Sequence, residues 1–174
     1  MGFKIKLSRS TERLLAGGLV PDVRKEFSKN GPIKIKQAIN QDMIKGISPV
    51  KGGGKWTKYS PSYKKEISKG TSSRMRAAAG GKRITPVNLR LTGQLHRSLK
   101  VSTTGGFLRA FKLVVAFNDF LADIHNKQGA GKSKVIRRLL PTESGDQFNR
   151  RINDVMFDQL KKAVATVAKK FSRQ

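Results

Sequence analysis

The chain has 174 residues, with 37 Lys and Arg against 11 Asp and Glu, for a formal net charge of +26. That length suits one domain with a real core, and a charge of that size favours polyanionic or acidic partners while making copies of the chain repel. The absence of cysteine excludes a disulfide framework and a thiolate metal site, and no run of about 18 apolar residues predicts a membrane-spanning helix.

Residues 1–174 read as one structural domain, with residues 1–20 as an N-terminal extension. The apolar patch from Leu14 to Val20 is too brief for a secretory signal. Residues 21–46 predict a helix that starts near Pro21-Asp22. Val23, Phe27, Ile35, Ala38, Ile39 and Met43 recur at a spacing near 3.6. Asn30-Gly31-Pro32 interrupts the pattern without shifting its phase, so a kinked helix or two nearly collinear helices is expected. Ser48-Pro49 ends it.

Residues 48–86 read as a long basic loop or arm inserted into the domain. Gly52-Gly53-Gly54 holds no regular structure on its own. Ser60-Pro61 starts a short helix over 61–68. Residues 69–83 are low in complexity and strongly basic, the composition of a mobile arm.

Val87 to Leu91 alternates, and a helical turn from about Thr92 leads into a strand from Leu99 to Thr103. Phe107 to Asn118 is the strongest strand signal in the chain, and Thr104-Gly105-Gly106 reads as the hairpin turn before it. Residues 119–126 predict a short helix or turn. The last helix carries the stripe Ile152, Val155, Met156, Leu160, Val164, Val167 and Phe171, with Ser144 and Gln147 spaced as a capping box. The expected class is α+β: a small antiparallel sheet packed with an N-terminal helix and a long C-terminal helix.

Charge is distributed unevenly. Residues 45–112 hold sixteen basic residues and a single acid, Glu66, so the middle of the chain is the charged surface. It can attract phosphates without reading bases, because no recognition-helix, zinc-finger or RNP pattern accompanies it. Trp56, Tyr59 and Tyr63 lie among lysines. They suit stacking on single-stranded bases, or anchoring the arm on the core or on a neighbouring subunit, and anchoring is the reading preferred.

Gly129-Ala130-Gly131-Lys132-Ser133 imitates the end of a phosphate-binding loop. Asn126 stands where that motif needs its first glycine, and Lys134 to Pro141 reads as a short strand ending at the proline, where a helix should follow. A flexible basic loop fits better. Asp119, Asp123 and His125 are the nearest thing to a catalytic or metal cluster. Helix-start charge and a surface histidine explain them, and His96 reads as a polar surface or packing residue. No enzyme activity and no cofactor are expected.

Three stretches in order carry a resemblance. They are Gly54-Lys55-Trp56-Thr57-Lys58-Tyr59-Ser60 with Tyr63-Lys64, then Val87 through Leu99, then Ala122-Asp123-Ile124-His125-Asn126 followed by Arg137-Arg138-Leu139-Leu140-Pro141. Together they resemble the tail-completion, or neck, proteins of tailed bacteriophages, the head–tail joining components of virion morphogenesis. The match spans roughly residues 48–172. The basic arm is richer in lysine and arginine than that family's pattern, and the loop carries an extra Lys-Ser-Lys.

The resemblance implies a structural virion protein, with six or twelve copies forming a ring between portal or adaptor and tail, around the DNA channel. It places the protein at the head–tail junction, and in the host cytoplasm during assembly. Under it, Trp56, Tyr59, Tyr63, Thr92, Gly93, Leu95, His125, Arg137 and Arg138 are the expected contacts with neighbouring subunits or partners. Lys64, Lys65, Lys69, Arg74, Arg76, Lys82 and Arg83 are the expected charges facing DNA or an acidic partner. A non-specific nucleic-acid-binding protein of ribosomal or nucleoid type is the alternative that charge alone would allow.

Overall fold

The computed structural model describes residues 19–69, 85–89, 93–105, 111–131 and 134–172. The arm residues Arg74, Arg76, Lys82 and Arg83, the contact candidate Thr92, and Gly106 of the expected hairpin turn lie outside the described residues, while Thr104 and Gly105, expected in that turn, continue the strand from Leu99. The fold is α+β, with a two-stranded antiparallel sheet, an N-terminal helix and a C-terminal helix. The chain groups into two compact units, one from residues 1–37, 100–115 and 151–174, the other from 38–99 and 116–150.

The first unit is built on helix α1, Val20–Ile44, which then runs on into the second unit. Val20, Val23, Phe27 and Ile35 are all buried, as their spacing requires. The helix is continuous through Asn30-Gly31-Pro32. Pro32 has no N–H to give the Ser28 carbonyl, yet the flanking apolar stripe holds the segment in register. Gly31 is there for space: a Cβ would sit 2.7 Å from the ring of Phe27, one helical turn back. That ring meets Phe111 of the sheet at 5.4 Å.

The sheet pairs β1, Leu99–Gly105, with β2, Phe111–Phe117. The Ser28 and Thr103 hydroxyls lie 2.7 Å apart, and Arg24 donates to the Gly105 carbonyl, so α1 covers β1. The other long helix, Arg150–Phe171, buries Ile152, Met156, Leu160, Ala163 and Val167. Of the expected stripe, Val155 and Val164 are half-buried and Phe171 at its end is exposed, while Ala163, not expected in it, is buried. The expected cap is not found at its start. Ser144 lies in a turn six residues before the helix and does not cap it. The Asp146 carboxylate instead accepts from the Thr142 and Glu143 N–H groups, each at 3.2 Å, and folds that stretch into a loop.

The second unit is mostly irregular chain held by side chains. Ala38, Ile39 and Met43, from the end of α1, are buried, as are Val50, Trp56, Leu95, Leu139 and Phe148. Helix α2 is Pro61–Lys69, α3 is Gln94–Ser98 and α4 is Phe120–Asp123; the long C-terminal helix is α5. A π-helical turn, Ile124–Gln128, continues α4.

Ser48 organises the glycine-rich loop. Its hydroxyl donates to the Arg138 carbonyl at 2.8 Å and accepts from Val50 N–H at 3.1 Å. A Cβ on Gly53 would fall 2.2 Å from that hydroxyl oxygen, so only glycine lets the loop close over Ser48. The first part of the expected arm, residues 48–59, is thereby tied into the unit. We predict that Gly53→Ala destabilises the protein by about 1–3 kcal/mol in urea denaturation, from overpacking.

Candidate partner-binding site

Two separate stretches of sequence meet in the second unit around one guanidinium, and the Val87–Leu99 stretch joins them through Leu89 N–H at Tyr59. Arg137 is 4% exposed. Its Nη2 donates to the Thr57 carbonyl at 3.2 Å, and its guanidinium carbon lies 5.3 Å from the centre of the Tyr59 ring. Tyr63 meets Tyr59 edge-on, with ring centres 5.1 Å apart. The Arg137 N–H donates to the His125 carbonyl at 2.7 Å. Arginine is rarely buried this far without a carboxylate. Among the described residues no carboxylate lies within ion-pair distance of Arg137.

Local structure explains each placement. Trp56 N–H donates to the Gly46 carbonyl at 2.8 Å, which fixes the chain just before Tyr59. Gly46 has φ 70°, and a Cβ there would meet the Val87 carbonyl at 2.7 Å, so the α1 exit and Val87 pack backbone to backbone. From Val87 the chain reaches Asn88, whose carbonyl lies 2.9 Å from His96 Nε2. His96 is thus a buried packing residue that ties α3 to the preceding turn. Asn126 closes the third stretch: its Oδ1 accepts from Leu139 N–H at 2.6 Å and Leu140 N–H at 3.0 Å. Its Nδ2 donates to the Thr142 hydroxyl at 3.2 Å.

The candidate contact residues therefore separate. Trp56, Tyr59, Gly93, Leu95 and Arg137 are buried within the chain, and Tyr63, His125 and Arg138 are half-buried. Arg138 is bonded to Asp146 and lies 3.6 Å from Glu143. Lys65 and Lys69 are exposed on α2, with Lys64 half-buried beside them. Asn126 and Asn149 emerge as organising residues that composition and periodicity do not mark. Asn149 Nδ2 donates to Asp42 at 2.8 Å and to the Ser48 carbonyl at 3.0 Å.

The acids read as structural. Asp119 caps α4 by accepting from Leu121 N–H at 3.0 Å, and Asp123 lies 3.8 Å from Lys127. Among the described residues no three His, Cys, Asp or Glu side chains gather as a metal ion would need. Ala130 and Val135 pair across the glycine-rich loop, with Gly129 at φ 79° and Gly131 at φ 75°. The chain doubles back there instead of entering a helix, which is not the geometry of a phosphate-binding loop.

Burial pushes the Tyr59 hydroxyl up to about 12, with Tyr63 adding and with Arg137 and the Leu89 N–H pulling the other way. Tyr63 is raised as well, by burial and then by Glu66. Burial lowers the Arg137 guanidinium, and the two tyrosines oppose that shift.

An unfolded tyrosine ionises near 10, so Tyr59 leaves stability unchanged below that pH and subtracts from it above. Stability should fall by about 2–3 kcal/mol between pH 10 and 12 on this account. Tyr59→Phe should remove that component of the slope in urea titrations across the same range. Parallel curves for the two proteins would contradict it.

Comparison with protein-family models, with curated proteins and with solved structures finds no match to this chain.

Proposed function

We propose that the protein is a structural component of a tailed bacteriophage particle, a ring-forming subunit at the head–tail junction. The observation that carries this reading is the convergence around Arg137. The stretches around Trp56-Thr57-Tyr59, Asn88-Leu89-His96 and His125-Arg137 carry the resemblance to tail-completion proteins. They lie up to about 80 residues apart in sequence, and a hydrogen bond from Arg137 Nη2 to the Thr57 carbonyl joins the first to the third.

The charge fits the site of action. A subunit at that junction meets acidic faces of neighbouring proteins and the end of the genome. On this reading Lys64, Lys65 and Lys69 face DNA or an acidic partner, together with the arm residues that follow them. Self-repulsion from a net +26 would be offset only in the assembly.

A stop codon in the reading frame should yield filled heads and separate tails, seen by electron microscopy of infected-cell lysates. Joined, infectious particles without the protein would overturn the proposal. Binding to duplex DNA should be weak in specificity and steep in salt. Replacing Lys64, Lys65 and Lys69 together with alanine should lower the slope of log affinity against log salt by roughly 3, about 0.9 for each phosphate no longer neutralised. An unchanged slope would remove these lysines from the DNA-facing surface.

A further inference from the structure

The second unit buries a cation with no anion beside it among the described residues. Arginine presents five N–H donors, and Arg137 gives one to the Thr57 carbonyl. Its Nε is fully buried and has no acceptor among the described residues. Trp56, next to Thr57 in the chain, has its Nε1 donor in the same condition. A buried charged donor left without an acceptor is costly to the fold. A chain rich in basic residues gains nothing general by hiding one.

We infer that the Arg137 guanidinium is a receptor for a carboxylate, an Asp or Glu side chain carried by an adjoining protein subunit. The planar fork takes a carboxylate through two parallel hydrogen bonds. The Tyr59 ring takes one face of the guanidinium, which leaves its remaining N–H groups for an acceptor in the guanidinium plane. Helix α2 buries none of its nine residues and presents half-buried Tyr63 to Tyr59, whose ring lies against the guanidinium. An element held so lightly opens locally at small cost.

A DNA phosphate is the poorer fit. The phosphates of a duplex lie on a broad cylinder that meets exposed lysines and cannot reach a guanidinium buried below the surface. A carboxylate on a side chain can. The proposal rests on the head–tail reading for where the partner is met; the guanidinium sets that partner's chemistry.

The test is the Arg137 Nε–H resonance of the full chain in nitrogen-15 spectra, assigned by its loss in Arg137→Lys. Sodium acetate, and a Gly-Ser peptide with one central Glu, should shift it saturably. Sodium chloride at equal ionic strength, the same peptide with Gln, and a short DNA duplex should leave it in place. No shift with acetate or the Glu peptide overturns the inference, as does an equal shift with chloride or a shift with the duplex. The spectra need no variant that folds perfectly, since the wild-type protein carries the signal. They also report on the receptor wherever the protein sits, so this failure and the failure of the head–tail reading are separable.

Discussion

Phe148→Ala should destabilise the protein by about 3–5 kcal/mol, the range for truncating a fully buried phenylalanine. Phe148 is 0% exposed. Its backbone pairs with Val50 in an antiparallel bridge, and Lys51 N–H reaches the Gln147 carbonyl beside it at 2.8 Å. The ring therefore fills the place where the loop after α1 and the loop before α5 are sewn together. Truncation removes the packing that these few hydrogen bonds depend on. For a protein of this length the melting temperature should drop by roughly 6–20 °C. Phe120, on the exposed side of α4 and 70% exposed, is the control. Its truncation should change stability by no more than about 0.5 kcal/mol. Equal losses for the two would show that the second unit does not depend on this packing.

Asn126→Ala should cost about 2–5 kcal/mol. One side-chain oxygen satisfies two backbone donors, Leu139 N–H and Leu140 N–H, and Leu139 is fully buried. Each buried donor left without an acceptor costs about 1–3 kcal/mol. Asn126→Asp keeps the acceptor oxygen and loses only the amide donor to Thr142, so it should recover most of the stability. Urea denaturation of the three proteins decides the matter. Equal losses for Ala and Asp would place the effect elsewhere than in those two hydrogen bonds. Because Asn126 sets the course of the chain after Arg137, the alanine variant should also weaken any function that uses that guanidinium.

Acid should loosen the neighbouring loop. The Asp146 carboxyl is held below the usual carboxylate range, chiefly by the Glu143 N–H, with Arg138 and the Thr142 N–H assisting and partial desolvation opposing. A depressed folded value means that this support is present above the unfolded carboxylate range and is lost as pH falls through the folded value. Amide exchange at Thr142 and Glu143 should accelerate on acidification before global unfolding. Protection that persists to the same pH as the core would contradict that.

Helices with a regular apolar stripe were legible in the sequence. Val23, Phe27, Ile35, Ala38, Ile39 and Met43 lie where their spacing put them, as do Ile152, Met156, Leu160 and Val167. The strand expected over Phe107 to Asn118 is found over Phe111–Phe117, with residues 107–110 outside the described residues, and the helical turn expected before Leu99 is found at Gln94–Ser98. The second unit was not legible, because no periodicity governs it. Ser48, Asn126 and Asn149 hold it through side-chain bonds to backbone groups up to 101 residues away, and nothing in local composition announces such a partner. Ser144 misled because capping-box spacing ignores competitors. Asp146 captured the nearby N–H groups and moved the helix start to Arg150.

The site shows the same division. Trp56, Tyr59, Tyr63, His125 and Arg137 were legible as a candidate group through the motifs that contain them. The burial of Arg137 was not, since a basic residue in so basic a chain reads as surface. Only the fold shows that Thr57 and the Tyr59 ring receive it.

The most direct test of the head–tail reading is to locate the protein in purified virus particles with a labelled antibody under the electron microscope. The account predicts label at the junction of capsid and tail. Particles that carry no label, with the protein recovered on ribosomes or nucleoid instead, would contradict it and leave the chain as a non-specific nucleic-acid-binding protein.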